Sequence, residues 1–307
     1  MIDSLEDGFN RHHIRVCQCV PMVRRAFLAT NLGEILVSIW DGDTRCVVTL
    51  TFDIDGPSAT MRRNPELSDN PSAISLGEFG PRVGTGRILD LLDRHDIRAS
   101  FFVPGWVAER NQEIVKEVFD RGHEVANHGY LHEPPSSLGP DEDEGAILDR
   151  GSDILESITG ERPKGYRSPS WELSGDSLRL MHERGFTYDS SLMGDDIPYF
   201  VGADEQRMVE LPVHWALDDA PYYTYMPVAG RTAPMATPND VLAAWQWEFD
   251  GAYRDSRAYM LTMHPHTSGR YARLEALDRL IVHMKKHDGV EFMRCIDLAD
   301  RWNRLHG

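Results

Sequence analysis

The sequence has little cysteine, no long hydrophobic run and a shortage of positive charge. Four cysteines stand among 307 residues, and the spacing of Cys17 and Cys19 fits neither a zinc knuckle nor a thioredoxin-like pair. We therefore expect reduced structural thiols and no disulfide framework. No segment reaches the roughly 20 apolar residues that cross a bilayer, and Asn31 and Glu34 interrupt the apolar stretch 26–40. A cytoplasmic location without a signal peptide is the expectation.

The charge balance and three missing motifs exclude several classes of function. Lysine and arginine total 32 against 49 aspartates and glutamates, which gives a formal net charge of −17. Nucleic acids and anionic membranes are polyanions, so this balance disfavours binding to either. The net charge does not restrict the charge of the substrate, because a local basic cluster can reverse the sign of the electrostatic field within a cleft. The absence of GxSxG, GxxxxGK[ST] and GxGxxG removes support for a serine hydrolase, an NTPase or a dinucleotide-binding protein.

Strands and helices alternate along the sequence from Arg45 onward. Apolar runs typical of buried strands occupy 46–52, 99–103 and 123–127, with later strands expected at 166–167, 209–212, 260–263 and 291–292. Helical spacing of apolar residues marks 86–96, 111–121, 146–159, 177–183, 238–253 and 273–287. This alternation predicts an α/β fold with a parallel sheet, which commonly closes into a barrel at this size. Residues 1–44 show no clear period and are predicted to be an N-terminal extension to one catalytic domain at 45–307.

Ionisable residues follow the predicted strands at the point where each strand ends. Asp53 and Asp55 come after the first strand, His128 after the third, and Arg167 and His264 after two later ones. Parallel α/β folds gather their catalytic groups at the carboxyl ends of the strands. These residues therefore predict an active site at that face.

Two of these segments together suggest a metal site. Asp53 and Asp55 are two residues apart, so both side chains point to the same side if the extended conformation continues. His128 and His132 are four residues apart and would lie on one face of a helical turn, where both imidazoles can meet one ion. A loop aspartate usually caps a turn and an isolated His-x-x-x-His is a weak signal. The combination, however, gives a two-histidine, one-carboxylate set with positions open for water and substrate.

Three further residues complete the predicted site. Arg167 can pair with a carboxylate and hold it ionised. Trp171 offers a flat apolar wall for a sugar ring or a planar heterocycle, although a core position suits it equally well. His264 can donate a proton to a leaving nitrogen near neutral pH. His266 is assigned a structural or rim position.

These elements, in this order, resemble the polysaccharide deacetylase superfamily, the NodB-like carbohydrate esterases, from about Arg45 to Trp302. Within it the chain looks closest to the intracellular branch named for peptidoglycan deacetylase, which includes cyclic imide hydrolases and allantoinase-like ureide hydrolases. The supporting segments are 188–193, 210–212, 215–219 and 263–265. Exported deacetylases carry adjacent aspartates, whereas Ile54 separates them here, and this difference favours the intracellular branch.

The resemblance implies a distorted, TIM-barrel-like (β/α) barrel that binds one divalent ion, usually zinc. By position it makes Asp55, His128 and His132 the metal ligands. It makes Asp53 the general base and His264 the general acid, with Arg167 orienting the base. Tyr166 and Trp171 are the expected substrate contacts.

Three functions remain open from the sequence. The first is deacetylation of an N-acetylated sugar or peptidoglycan-type substrate, and the second is ring opening of a cyclic imide or ureide. The third is a ligand-binding barrel that has lost catalysis. An open groove would suit a chain of sugars, whereas a small pocket walled by Trp171 and 215–226 would suit a small ring. The expected partner is a small-molecule or sugar amide, without nucleic acid or membrane; homo-oligomerisation is left open.

Overall fold

A curled, mostly parallel sheet forms the centre of the molecule. The computed structural model describes residues 39–202 and 206–307, so Cys17, Cys19 and most of the predicted extension lie outside the described residues. The first strand, β1, is Cys46–Asp53 and is buried at every position. Val48, Leu50 and Phe52 pack into one apolar cluster, and Val47 packs into another. Burial on both faces explains why this strand reads as a nearly continuous apolar run.

The sheet is a distorted (β/α) barrel, as the sequence predicts. The other strands are β2 Ser100–Val103, β3 Glu124–Asn127, β4 Gly165–Tyr166, β5 Tyr188–Asp189, β6 Tyr199–Val201, β7 Met208–Glu210, β8 Ala258–Met263 and β9 Val290–Phe292. Their order is β6-β7-β5-β4-β3-β2-β1-β8, with β9 beside the first half of β1. Only β6 and β7 pair antiparallel among the described strands.

The barrel does not close through a regular strand pair between its edge strands, β6 and β8. A parallel bridge between Asp218 and Thr262 spans part of this interval. The amide of Ala258 also donates a hydrogen bond of 3.2 Å to the carbonyl of Asp196. The chain that leaves β7 therefore passes along the open edge of β8, beside the carboxyl end of the sheet.

Helices pack around the outside of the sheet. They are α1 Ser58–Arg63, α2 Pro71–Phe79, α3 Thr85–Arg94, α4 Gly105–Arg110, α5 Gln112–Asp120, α6 Glu144–Thr159, α7 Ser177–Glu183, α8 Ala220–Tyr223, α9 Pro238–Arg254, α10 Pro265–Ser268, α11 Tyr271–Met284 and α12 Cys295–His306. The side chain of Asp143 caps the start of α6, and Gly160, in the left-handed conformation, ends it as predicted. In the part of the chain that the structure describes, no helix has the length and apolarity to span a membrane.

A π-helical turn at 80–84 joins α2 to α3 and brings them against α10. A Cβ on Gly84 would lie 2.1 Å from the carbonyl oxygen of Pro265, so only glycine fits this contact. The approach fixes the segment that begins with His264. Single π-helical turns of this kind often occur beside functional sites.

The described residues that precede β1 pack on the last helix. The rings of Trp40 and Trp302 meet edge to face with centroids 5.8 Å apart. Arg301 donates hydrogen bonds of 2.6 Å to Asp41 and 2.9 Å to Glu291. Residues 39–44 thus pack against α12, and the domain boundary at 45 stays a prediction.

Candidate metal centre and active site

Two aspartates at the end of β1 face a common point. Asp53 and Asp55 are 2% and 4% exposed. The Nε2 atom of His128 lies 3.9 Å from Oδ2 of Asp53 and 3.5 Å from Oδ1 of Asp55. Gly56, with φ of +54°, then turns the chain away. The expectation that both carboxylates point to the same side is confirmed.

The segment that carries both histidines is a loop, so the predicted helical turn is wrong. One carboxylate oxygen of Glu133 accepts hydrogen bonds from the amides of Tyr130 (3.1 Å) and Leu131 (2.7 Å). His132 has φ of +61°, a backbone conformation that costs a non-glycine residue about 1–3 kcal/mol. This loop still brings His132 Nε2 within 3.4 Å of Asp55 Oδ2, by tertiary contacts and not by helical periodicity.

Asp55, His128 and His132 have the spacing of ligands to one ion. Their closest ligand atoms are 3.4 and 3.5 Å apart. Bonds of 2.0–2.2 Å in a tetrahedral site predict ligand separations of about 3.3–3.6 Å. Asp55 Oδ1 is also buried without a hydrogen-bond partner among the described residues, which a cation would satisfy. His128 Nδ1 lies 2.7 Å from the carbonyl of Arg167, so its other nitrogen faces the carboxylates.

The electrostatics of the triad favour the protonation states that bind a metal. Burial raises the pKa of Asp55, but the imidazoles of His132, His128 and His264 outweigh it and hold that pKa well below its usual value. Burial lowers the pKa of His132 despite the opposing charge of Asp55. An anionic carboxylate beside a neutral imidazole is the state that coordinates a cation. The donor set fits zinc or a similar divalent ion.

Two other histidine–carboxylate groups among the described residues have a different geometry. Nδ1 of His264 lies 2.6 Å from Asp219, and Nε2 of His283 lies 2.7 Å from Asp250. These are hydrogen-bond lengths, shorter than the separation of two ligands on one ion. The geometry therefore selects the Asp55 group as the candidate metal centre.

Arg167 anchors Asp53 from beneath the pocket. Its side chain is completely buried and donates bonds of 2.8 Å to Asp53 Oδ1 and 2.9 Å to Thr51. It also donates to the carbonyl and hydroxyl of Ser190 and lies over the ring of Phe102, 4.0 Å from its centroid. Because these contacts engage Oδ1 of Asp53, the carboxylate is held with Oδ2 toward His128.

His264 follows β8 and is oriented by a carboxylate that sequence reasoning missed. Asp219 accepts a 2.9 Å hydrogen bond from the backbone amide of His264, contacts its Nδ1, and also bonds Ser268. The His264 Nε2 atom lies 3.7 Å from Asp55 Oδ2. Burial lowers the pKa of His264, but Asp219 and Asp218 raise it more, so it stands well above its usual value. The two aspartates therefore favour the protonated form of the ring.

The pocket beside this centre is walled by two tryptophans and by the chain that follows β7. Trp171 and Trp215 lie with ring centroids 4.3 Å apart, and Trp215 is 46% exposed. The lining of the pocket also includes Asp218 and residues between 220 and 231. Trp171 lines the pocket and also packs in a buried apolar cluster, and its contact with substrate stays a prediction. His266 lines the pocket as well, beside His264.

Tyr166 does not reach the pocket, contrary to the expectation that it contacts substrate. It is 2% exposed and packs with Leu148, Met181 and Phe186. Successive strand residues point to opposite faces, so Tyr166 packs outward while Arg167 points inward. The remaining predicted residues converge as expected at the carboxyl ends of β1, β3, β4 and β8.

Known proteins resemble this chain over most of its length. The family model for polysaccharide deacetylases matches residues 42–188. A peptidoglycan deacetylase from Helicobacter pylori is 32% identical over 258 residues, which cover 76% of this chain and 88% of that protein. A crystal structure of a Mycobacterium smegmatis protein assigned to the polysaccharide deacetylases is 37% identical, with a TM-score of 0.83 over 86% of this chain and 92% of that one. Puue allantoinase, 24% identical, shares the fold with a TM-score of 0.76 over 90% of this chain and 99% of its own.

Proposed function

This chain belongs to the polysaccharide deacetylase family, and from that membership and the site geometry we propose that it is a metal-dependent hydrolase of non-peptide carbon–nitrogen amide bonds. The observation that carries the proposal is the convergence of Asp55, His128 and His132 on one point, flanked by Asp53 and His264. In the proposed assignment the first three bind one divalent ion, most simply zinc. Such an ion supplies Lewis acidity, which activates water and polarises an amide carbonyl.

The side chains around the centre have distinct roles in this proposal. Asp53 accepts the proton of the attacking water, and Arg167 holds the carboxylate directed toward the pocket. His264 gives its proton to the departing nitrogen, and Asp219 holds the imidazole in the required orientation. Retention of all these groups opposes a barrel that has lost catalysis.

Removal of an acyl group from an N-acetylated sugar is the activity that the family name supports. A second candidate, ring opening of a cyclic imide or ureide, is the same attack on an amide carbonyl. It is favoured by one observation: Trp215 and the segment to Arg231 wall the pocket above the centre. A pocket bounded in this way suits a small ring or a terminal sugar better than the middle of a polymer. Both candidates fit a protein that acts inside the cell.

Metal analysis beside kinetics tests the assignment. We expect His128→Ala to lose both bound metal and activity, and His264→Ala to keep the metal but lose turnover. His182→Ala, on α7 and outside the pocket lining, should change neither. A panel of N-acetyl sugars, succinimide-like imides, hydantoins and allantoin would identify the substrate class. An active His128→Ala protein would remove the ligand assignment.

A further inference from the structure

Two arginines line the pocket without a carboxylate partner among the described residues. Arg63 is the last residue of α1, and Arg231 follows a turn at 227–230. Neither makes an ion pair in the part of the chain that the structure describes. The adjacent Arg62 instead binds Glu142 with two hydrogen bonds of 2.6 and 2.8 Å. Arg62 and Arg63 are adjacent in the sequence, yet only Arg62 has a carboxylate partner among the described residues.

Local structure fixes both arginines at the cavity. Arg63 donates a 2.7 Å hydrogen bond to the hydroxyl of Ser170, whose φ of +60° is a strained conformation in the pocket wall. Arg231 is held through its backbone, which exchanges hydrogen bonds of 2.9 and 3.1 Å with Met226. Gly230, with φ of +74°, permits the turn that places it there. Most of the donors of the two guanidinium groups remain available.

The two cations lie at the exposed side of the pocket and repel one another. Burial and the charge of Arg63 both lower the pKa of Arg231. Guanidinium groups bind carboxylates and phosphates through paired, charge-assisted hydrogen bonds, so an anion in the pocket would relieve the repulsion.

We propose that the substrate carries an anionic group, a carboxylate or a phosphate, which Arg63 and Arg231 bind while the amide lies at the Asp55, His128 and His132 centre. This inference rests on the proposed function, because it describes the substrate of the same pocket. It predicts discrimination against neutral amides, including an uncharged N-acetyl sugar. Trp171 and Trp215 would contact the apolar part of such a substrate.

The test uses three hydroxamic acids that differ at the far end: succinic monohydroxamate, its carboxamide analogue and its phosphonate analogue. Calorimetric titration of the zinc-loaded full chain measures each dissociation constant. We expect at least one anionic probe to bind about tenfold or more tightly than the carboxamide, since its charge meets two guanidinium groups. The order of carboxylate and phosphonate then identifies which anion the pocket accepts.

Substitutions assign the preference to the two arginines. Arg63→Gln and Arg231→Gln should each reduce it by about fivefold or more, and the double variant should abolish it. Arg62→Gln, one residue away but paired with Glu142, should keep it. Equal binding of charged and neutral probes by the wild type overturns the inference. So does a preference that survives in the double variant.

A metal-independent arm separates this inference from the proposed function. Succinate and succinamide are titrated into the metal-free protein by NMR. If succinate binds, succinamide does not, and the double variant loses this binding, the anion site is supported. That conclusion holds even if no hydroxamate binds, a result that would overturn the proposed metal centre. If all three hydroxamates bind tightly and with equal dissociation constants, the metal centre is supported and the anion site is overturned. Failure of succinate to bind, together with failure of all three hydroxamates, overturns both.

Discussion

Asp189 and Glu210 are register partners on the parallel strands β5 and β7, and each has one buried carboxylate oxygen without a hydrogen-bond partner among the described residues. Burial raises the pKa of Asp189 to about 6. Burial and the charge of Asp189 raise the pKa of Glu210 well above its usual value. One proton shared between the two unpartnered oxygens would satisfy both. Glu210 also accepts hydrogen bonds from the amides of Ser191 and Leu192. These residues follow Ser190, whose carbonyl accepts a hydrogen bond from Arg167.

This carboxyl pair should make the protein less stable as pH rises. Both groups have raised pKa values in the folded state, so the folded chain keeps a proton that the unfolded chain releases above about pH 4. Their contribution to stability is complete below that pH and is lost as pH rises through 6 and beyond. Glu210→Gln removes the titration and keeps an acceptor for both amides. We expect its free energy of unfolding to exceed that of the wild type by roughly 1–2 kcal/mol at pH 8 and to match it near pH 5.

Urea denaturation at the two pH values checks this expectation. Glu275→Gln, at an exposed position on α11, is the control and should leave the pH dependence unchanged. A Glu210→Gln protein that loses stability with pH as steeply as the wild type would show that the pair does not share a proton.

Asp219→Asn should impair turnover without loss of metal. Asp219 aligns His264 and raises its pKa, and a general acid works only in its protonated form. We expect kcat to fall by about 100-fold or more. The alkaline limb of the pH–rate profile should move to lower pH, because the imidazole loses its proton more readily. An unmoved alkaline limb would mean that Asp219 acts on activity only through structure.

Glu133 should control metal affinity through the loop that carries His132. Glu133→Ala removes the acceptor for two backbone amides and releases a strained backbone, so we expect metal affinity to fall by about 10–100-fold. Glu133→Gln retains an acceptor oxygen and should lose much less. Competition with a chromophoric chelator measures both. Equal affinities in the two variants would contradict this role.

Replacement of two neighbouring glycines by alanine should change the stability of the protein in opposite directions. Gly84→Ala places a methyl group against the backbone of Pro265, so we expect a loss of about 1–3 kcal/mol of stability and a lower kcat, because His264 is adjacent. A Cβ on Gly86 meets nothing within 4 Å, and Gly86→Ala should gain about 0.5–1 kcal/mol from helix propensity. Thermal unfolding of both variants is the measurement. Stabilisation by Gly84→Ala would contradict the packing argument.

The sequence was informative where local pattern and final position coincide. The buried runs became β1, β2 and β3, and the polar residues that follow them converge because parallel strands end at one face. Asp219 was missed since it lies on an irregular segment that only the tertiary fold brings to β8. The two-residue strand β5 and the short helices α1 and α4 carry too few residues for a period to be detected.

Two errors have specific physical causes. His128 and His132 have helical spacing, but hydrogen bonds to Glu133 and a positive φ at His132 impose a loop that spacing does not reveal. Tyr166 stands beside Arg167 in sequence, yet strand alternation sends the two side chains to opposite faces. In both cases the residue types suggested a role in the site, but the sequence did not reveal the direction of the backbone at those positions.

The segment that connects β7 to β8 also bears on how such enzymes diversify. Apart from Asp218 and Asp219, the crossing segment contributes a wall to the pocket and little to the strand ladder. Insertions or exchanges between 224 and 231 would therefore leave the strand register and the reacting groups undisturbed. Evolution can select new substrates there while the hydrolytic apparatus is inherited unchanged.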